Sequence, residues 1–178
     1  MVTGKPLNIM AVSGSLRADS SNTAILKYLQ KAVPQHNFWI YDGLDKLPHF
    51  NPALDTDPSP VQVQDLRDLI ADADGLIICT PEYAFGVPGS LKNMLDWTVS
   101  SGSLVNKPVA LITASSVGEN AHASLIKTLE VLTARVVDEG TLLIPFIRTK
   151  MNAANEITDT QTERDIQNVL TALLAEIV

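Results

Sequence analysis

Short apolar runs alternate with segments of helical period along the whole chain, and this alternation restricts the fold more than any other feature of the sequence. Leu7 to Val12, Phe38 to Tyr41, Gly75 to Thr80 and Val109 to Ala114 are apolar runs of strand length. Near-continuous apolar strands belong to parallel sheets that are covered on both faces. Between them, Ile25, Leu29, Ala32 and Val33 share a helical face that stops at Pro34, with Ser20 or Ser21 as the cap. Val63, Leu66, Leu69, Ile70 and Ala73 make a second such face, and Leu91, Leu95 and Thr98 a third, with Pro88 in its first turn. A helix over Ala121 to Leu132 follows. Arg135 to Val137 and Thr141 to Phe146 then read as strand, split by Asp138-Glu139-Gly140, and the pattern leaves them as one strand or two. Ile166, Val169, Leu170, Leu173, Leu174 and Ile177 complete the chain as an amphipathic helix. The expectation is an α/β three-layer sandwich: a five-stranded parallel sheet with helices on both faces, forming a single domain over residues 1–178.

Composition narrows the class of partner. With 46% hydrophobic and 19% charged residues in 178, the chain can bury a sizeable core and is not a disordered one. Thirteen basic against twenty acidic residues give a net charge of −7, and no basic run is present, which argues against nucleic acid and anionic membrane as partners. A single cysteine, Cys79, excludes an intrachain disulfide, and His36, His49 and His122 show no metal-ligand spacing, so no metal is expected. The apolar stretch Leu7 to Leu16 is short and interrupted by Asn8, Ser13, Gly14 and Ser15, a poor leader or membrane span. A cytoplasmic protein is expected.

In an open parallel sheet the ligand lies beyond the carboxyl ends of the strands, at the point where strand order reverses. Three loops qualify: Ser13 to Asn22, Pro81 to Gly89, and Ser115 to Asn120. The first places the hydroxyls of Ser15, Ser20 and Ser21, the Asn22 amide and the Arg17 guanidinium between a strand end and a helix start, which suits a phosphate. Neither GxxxxGK[ST] nor GxGxxG is present, so one terminal phosphate fits better than a P-loop nucleotide or a Rossmann dinucleotide. Asp42 to Pro60, with prolines at 48, 52, 58 and 60, reads as a long loop of the kind that often lines a site.

Two of these loops carry a resemblance. GSLRADSSN at Gly14 to Asn22 and PEYAFGVPGSLKNMLDW at Pro81 to Trp97 resemble the NADPH-dependent FMN reductase family, a flavodoxin-like group of quinone, azo-dye and chromate reductases. Gly14, Ser15, Arg17, Ser20 and Asn22 match the first motif. Pro81, Glu82, Tyr83, Pro88, Gly89, Leu91, Lys92, Asn93, Asp96 and Trp97 match the second. The resemblance implies bound FMN, with its phosphate held by Ser15, Arg17, Ser20, Ser21 and Asn22. It also implies an isoalloxazine ring along Pro81, Glu82, Tyr83, Ala84, Phe85 and Gly86, with Ser115 and Gly118 near its pyrimidine edge.

Ala84 stands where many members have Asn, and only Gly118 remains where many have a double glycine. The implied activity is a ping-pong transfer of two electrons from NADPH or NADH through the flavin to a quinone, free flavin or similar small acceptor, by a homodimer or dimer of dimers. Because the flavin carries the redox chemistry, no side chain is assigned a catalytic role, and Glu82 is read as structural or as a subunit contact. Trp97 reads as core or interface, and Cys79 as inert packing. Two other readings use the same fold: a flavodoxin-like electron carrier, and a flavin-free small-ligand enzyme with Glu82 as nucleophile.

Overall fold

The computed structural model describes residues 5–177. Its strands are β1 (Asn8–Ser13), β2 (Asn37–Ile40), β3 (Gly75–Thr80), β4 (Pro108–Ala114) and β5 (Arg135–Ile144). Its helices are α1 (Ser21–Ala32), α2 (Val61–Asp72), α3 (Gly89–Asp96), α4 (Glu119–Val131) and α5 (Thr160–Ile177). The strands form one parallel sheet in the order β2-β1-β3-β4-β5. Strand order reverses between β1 and β3, which places the predicted crevice beside the first and second loops. All residues of β3 and β4 are buried, as runs covered on both faces must be. Ile25, Leu29, Ile166 and Leu173 of α1 and α5 pack on one face of the sheet. Leu66, Leu91, Met94 and Leu125 of α2, α3 and α4 pack on the other. The three layers are those expected from the sequence. Among the described residues no helix is long and apolar enough to cross a membrane, and no cluster of potential ligands could hold a metal ion.

The ambiguous stretch near residue 138 is one strand with a bulge. Val109 pairs with Val136 and Leu111 with Thr141, so Ala110 alone faces the four residues from Val137 to Gly140. β5 then stops at Ile144, and Phe146, predicted as strand, lies in the following loop with a left-handed φ of 53°. α3 also ends earlier than its spacing suggested: Asp96 is its last residue, Pro88 is its cap rather than part of its first turn, and Thr98 lies in the turn beyond.

The long loop after β2 does not line the crevice, contrary to expectation. It is fastened instead to the back of α3. The Asn93 amide donates to the Pro48 carbonyl (3.0 Å) and accepts from the Phe50 N–H (2.7 Å), and the Trp97 indole N–H donates to Pro48 (2.8 Å). Arg67 of α2 holds the far end, bonding Asp55 at 2.8 Å and the Trp97 carbonyl at 2.7 Å. These bonds hold the loop against α2 and α3, apart from the cleft wall.

The Ser100 hydroxyl and the Arg67 guanidinium hold the Asp55 carboxyl below its ordinary range. A depressed folded value stabilises the protein above the unfolded value of ~4, and that stabilisation disappears as pH falls through the folded value. Asp55→Asn should therefore cost about 1.5–3 kcal/mol at neutral pH. The gap to the wild type should close in strongly acidic buffer, as measured by urea unfolding at both pH values.

Candidate functional site

The loop after β1 is built by its own polar side chains. Ser13 Oγ donates to the Ser15 carbonyl (3.2 Å) and accepts from Thr23 Oγ1 (2.9 Å), and Ser20 Oγ caps α1 by accepting the Asn22 N–H (3.2 Å). Asn22 is buried, and its amide spans the sheet, donating to the Ala114 carbonyl (3.3 Å) and accepting from the Cys79 thiol (3.3 Å). Gly14 is required where the loop crosses β3, because a Cβ there would lie 2.2 Å from Thr80 Oγ1. The first turn of α1 has no acidic residue, so the positive end of its dipole faces the loop without a carboxylate of its own.

After β3 the chain makes a tight hairpin. Tyr83 and Gly86 exchange backbone bonds of 3.0 and 2.9 Å across Ala84 and Phe85, whose φ values are 48° and 60°. Two positive φ angles in sequence define a type I′ turn, which favours Asn-Gly. The strained positions are thus Ala84 and Phe85. Gly86 meets no steric demand from the protein, since a Cβ there would find only the Tyr83 carbonyl at 3.7 Å. The turn also accounts for Asn where the motif usually has it. Ala84→Asn should stabilise the protein by roughly 0.5–1 kcal/mol, part of the ~1–2 kcal/mol that a left-handed conformation costs an L residue. A rise in Tm with unchanged cofactor content would show it.

Glu82 is oriented away from the hairpin. Its carboxylate accepts the N–H groups of Gly118 (3.3 Å) and Ala121 (2.8 Å), while its own N–H donates to Ser115 Oγ (3.2 Å). α4 has no cap from its own Ncap residue, Gly118, and Glu82 supplies that cap from a different loop. Gly118 itself has a φ of 100° and lies under the start of α4. His122 places Nδ1 2.9 Å from Thr113 Oγ1, and burial pushes its pKa down, so the ring stays neutral at neutral pH. Cys79 is wholly buried, and its thiol pKa is pushed far above the usual value.

These loops enclose a cleft of about 430 Å³, walled by Ser15, Arg17, Ser20, Ser21, Asn22, Pro81, Glu82, Tyr83 and Ser115. Ala84, Phe85, Gly86 and Gly118 stand outside its wall, the first two because the hairpin turns outward and leaves Phe85 78% exposed. The sequence profile of the NADPH-dependent FMN reductase family matches residues 7–149. The chain belongs to that family.

Relatives extend the agreement over nearly the whole length. The NADH:(hydroxy)cinnamate reductase subunit CrdA of Vibrio ruber is 32% identical over 86% of this chain and 78% of its own. A quinone reductase of Escherichia coli is 29% identical over 93% of both chains. Among solved structures, the flavoenzyme NAD(P)H:(acceptor) oxidoreductase FerB of Paracoccus denitrificans superposes with a TM-score of 0.76 at 28% identity, covering 96% of this chain and 97% of that one.

The residues fit the cofactor that the family name states. Hydroxyls, a guanidinium and a helix start free of acid form one end of the cleft, the donor set for a phosphate. Its volume is of the size used for small ligands, roughly 300–1,000 Å³. The cleft also has a wall the sequence did not suggest, from the loop after β5: Phe146, Ile147, Arg148 and Thr149. The strand-end rule that selected the other three loops applies equally to β5. In the sequence, that rule was applied to the first, third and fourth strands alone.

Proposed function

We propose that this member of the family is an FMN-dependent NAD(P)H oxidoreductase delivering two electrons to a quinone, free flavin or similar small acceptor. The observation that carries the reading is the cleft at the β1/β3 reversal point, with a phosphate-type donor set in its wall and an outward hairpin beside it. FMN supplies the two-electron chemistry when bound. Arg17 and the hydroxyls of Ser15, Ser20 and Ser21 hold its phosphate, and Asn22 keeps the loop seated on β3 and β4. Pro81, Glu82, Tyr83 and Ser115 would border the flat ring, whereas Ala84, Phe85, Gly86 and Gly118 lie outside the cleft wall, and the N–H groups of Glu82, Tyr83, Gly86 and Gly118 are already bonded within the protein. Tyr83, whose hydroxyl is 3.4 Å from Ser15 Oγ, closes the space between the ring end and the phosphate end. No side chain in the cleft is needed as an acid or base, because a reduced nicotinamide and a small acceptor require orientation against one exposed face.

The deciding experiment is the visible spectrum of the purified protein before and after anaerobic NADPH. A flavin spectrum that bleaches supports the reading, and a protein that is colourless and cannot be loaded with FMN refutes it. Since one face serves reductant and acceptor in turn, initial rates should give parallel double-reciprocal lines. Arg17→Ala should weaken FMN binding by about 1.5–3 kcal/mol, the size of a hydrogen bond to a charged group, with the fold retained. Titration of apoprotein measures this.

The same reading places the protein in the cytoplasm as a homodimer or dimer of dimers. Support for association comes from a groove of about 650 Å³ between α3 and α4, where Val99 and Val131 are exposed. Light scattering at micromolar concentration tests it, and a monomer would remove the dimer from the reading.

A further inference from the structure

Two arginines that are remote in sequence line the same cleft. Arg17 comes from the loop after β1, and Arg148 from the short 3-10 turn Ile147–Lys150 after β5, and both wall the space beside Ser15, Ser20 and Ser21. Among the described residues neither has a carboxylate within ion-pair distance, although the chain holds twenty acidic residues against thirteen basic ones. The loop that carries Arg148 is fixed. Phe146 and Ile147 donate their N–H groups to the Ser116 (3.2 Å) and Ser115 (3.1 Å) carbonyls, and the left-handed Phe146 turns the chain at the end of the sheet. Both arginines also border an adjoining hollow of about 380 Å³, where Asp19 is the acidic neighbour.

We propose that Arg148 is the second jaw of a clamp on the FMN phosphate, with Arg17 as the first. The inference rests on the FMN reading above. A phosphate monoester carries about −1.5 to −2 charges at neutral pH, whereas a helix start contributes only about half a positive charge. One guanidinium with that helix start leaves the dianion undercompensated in a protein of net charge −7. A second guanidinium from the opposite loop brings the site close to neutrality, and its planar fork suits phosphate oxygens. The phosphate then ties the connection between β5 and α5 to the start of α1, which a flavin lacking phosphate cannot do.

The test is titration of apoprotein with FMN and with riboflavin, followed by flavin fluorescence. Arg148→Gln should raise the Kd for FMN on the order of 10- to 100-fold and leave riboflavin binding unchanged. Arg148→Lys should recover part of the loss. Unaltered riboflavin affinity serves as the check that the variant is folded around an intact ring site. Unchanged FMN affinity overturns the proposal. So does an equal loss for both flavins, which would make Arg148 a support of the loop. A change confined to the ratio of KM values for NADPH and NADH, with FMN affinity intact, also overturns it by assigning Arg148 to the phosphate of the reductant. Wild-type protein that binds neither flavin refutes the functional reading itself; tight binding by the wild type with an indifferent Arg148 refutes only the clamp.

Discussion

Trp97→Ala is expected to lower stability by about 3–5 kcal/mol, the usual cost of removing a large buried aromatic side chain. Trp97 is 0% exposed and packs edge to face on Phe50, with centroids 5.0 Å apart and planes at 83°. Its indole N–H holds the Pro48 carbonyl. The truncation therefore removes core volume and one of the fastenings of the loop after β2. Urea unfolding gives the magnitude. Hydrogen exchange should show faster opening of residues 44–55 than of the sheet, because these residues lose their anchor while the strands keep theirs. FMN affinity of the folded fraction should be unchanged, since that loop contributes nothing to the cleft wall. Trp97→Phe separates the two effects by restoring most of the volume without the N–H donor.

Glu82→Ala is expected to cost roughly 2–4 kcal/mol, allowing for partial exposure of two hydrogen bonds to a charged acceptor. The first turn of α4 would lose its cap, and the loop from Ser115 to Gly118 would lose its link to the hairpin after β3. Glu82→Gln keeps an acceptor in place and should retain turnover within about tenfold at equal FMN occupancy, whereas loss of a general acid or base typically costs ~10²–10⁴-fold. Rates with NADPH and a quinone, compared only after flavin content is matched, distinguish the cases. Near-complete loss of turnover in Glu82→Gln at full occupancy would make the carboxylate catalytic.

The layers were legible because apolar periodicity reports burial directly, and the phosphate-type loop was legible because hydroxyls, amide and guanidinium are adjacent in the chain; the strand order, and with it the reversal point between β1 and β3, came from the structure. Trp97 was legible as core, but the partners that Asn93 and Trp97 hold were not. Both residues sit in a motif shared by flavin enzymes, yet their partners are Pro48 and Phe50, more than forty residues away in a loop with no periodic pattern. Glu82 reads as structural or as a subunit contact, but its partners were opaque for a similar reason: they are N–H groups of Gly118 and Ala121, and backbone donors have no residue signature. Arg148 lies in a loop that the strand-end rule covers, but an arginine after a strand is commonplace, and only the folded sheet brings it into one cleft with Arg17.

The bulge in β5 bears on how the protein behaves at high concentration. β5 is an outer strand of ten residues, long enough to recruit a strand from another molecule along its unpaired side. The bulge interrupts that row of free donors and acceptors midway, and it does so at Asp138 and Glu139, which are exposed. At the other edge, β2 offers only four residues. A kink and two negative charges remote from the cleft wall thus guard this edge, and a shortened, uncharged version of the segment is expected to associate more readily through it.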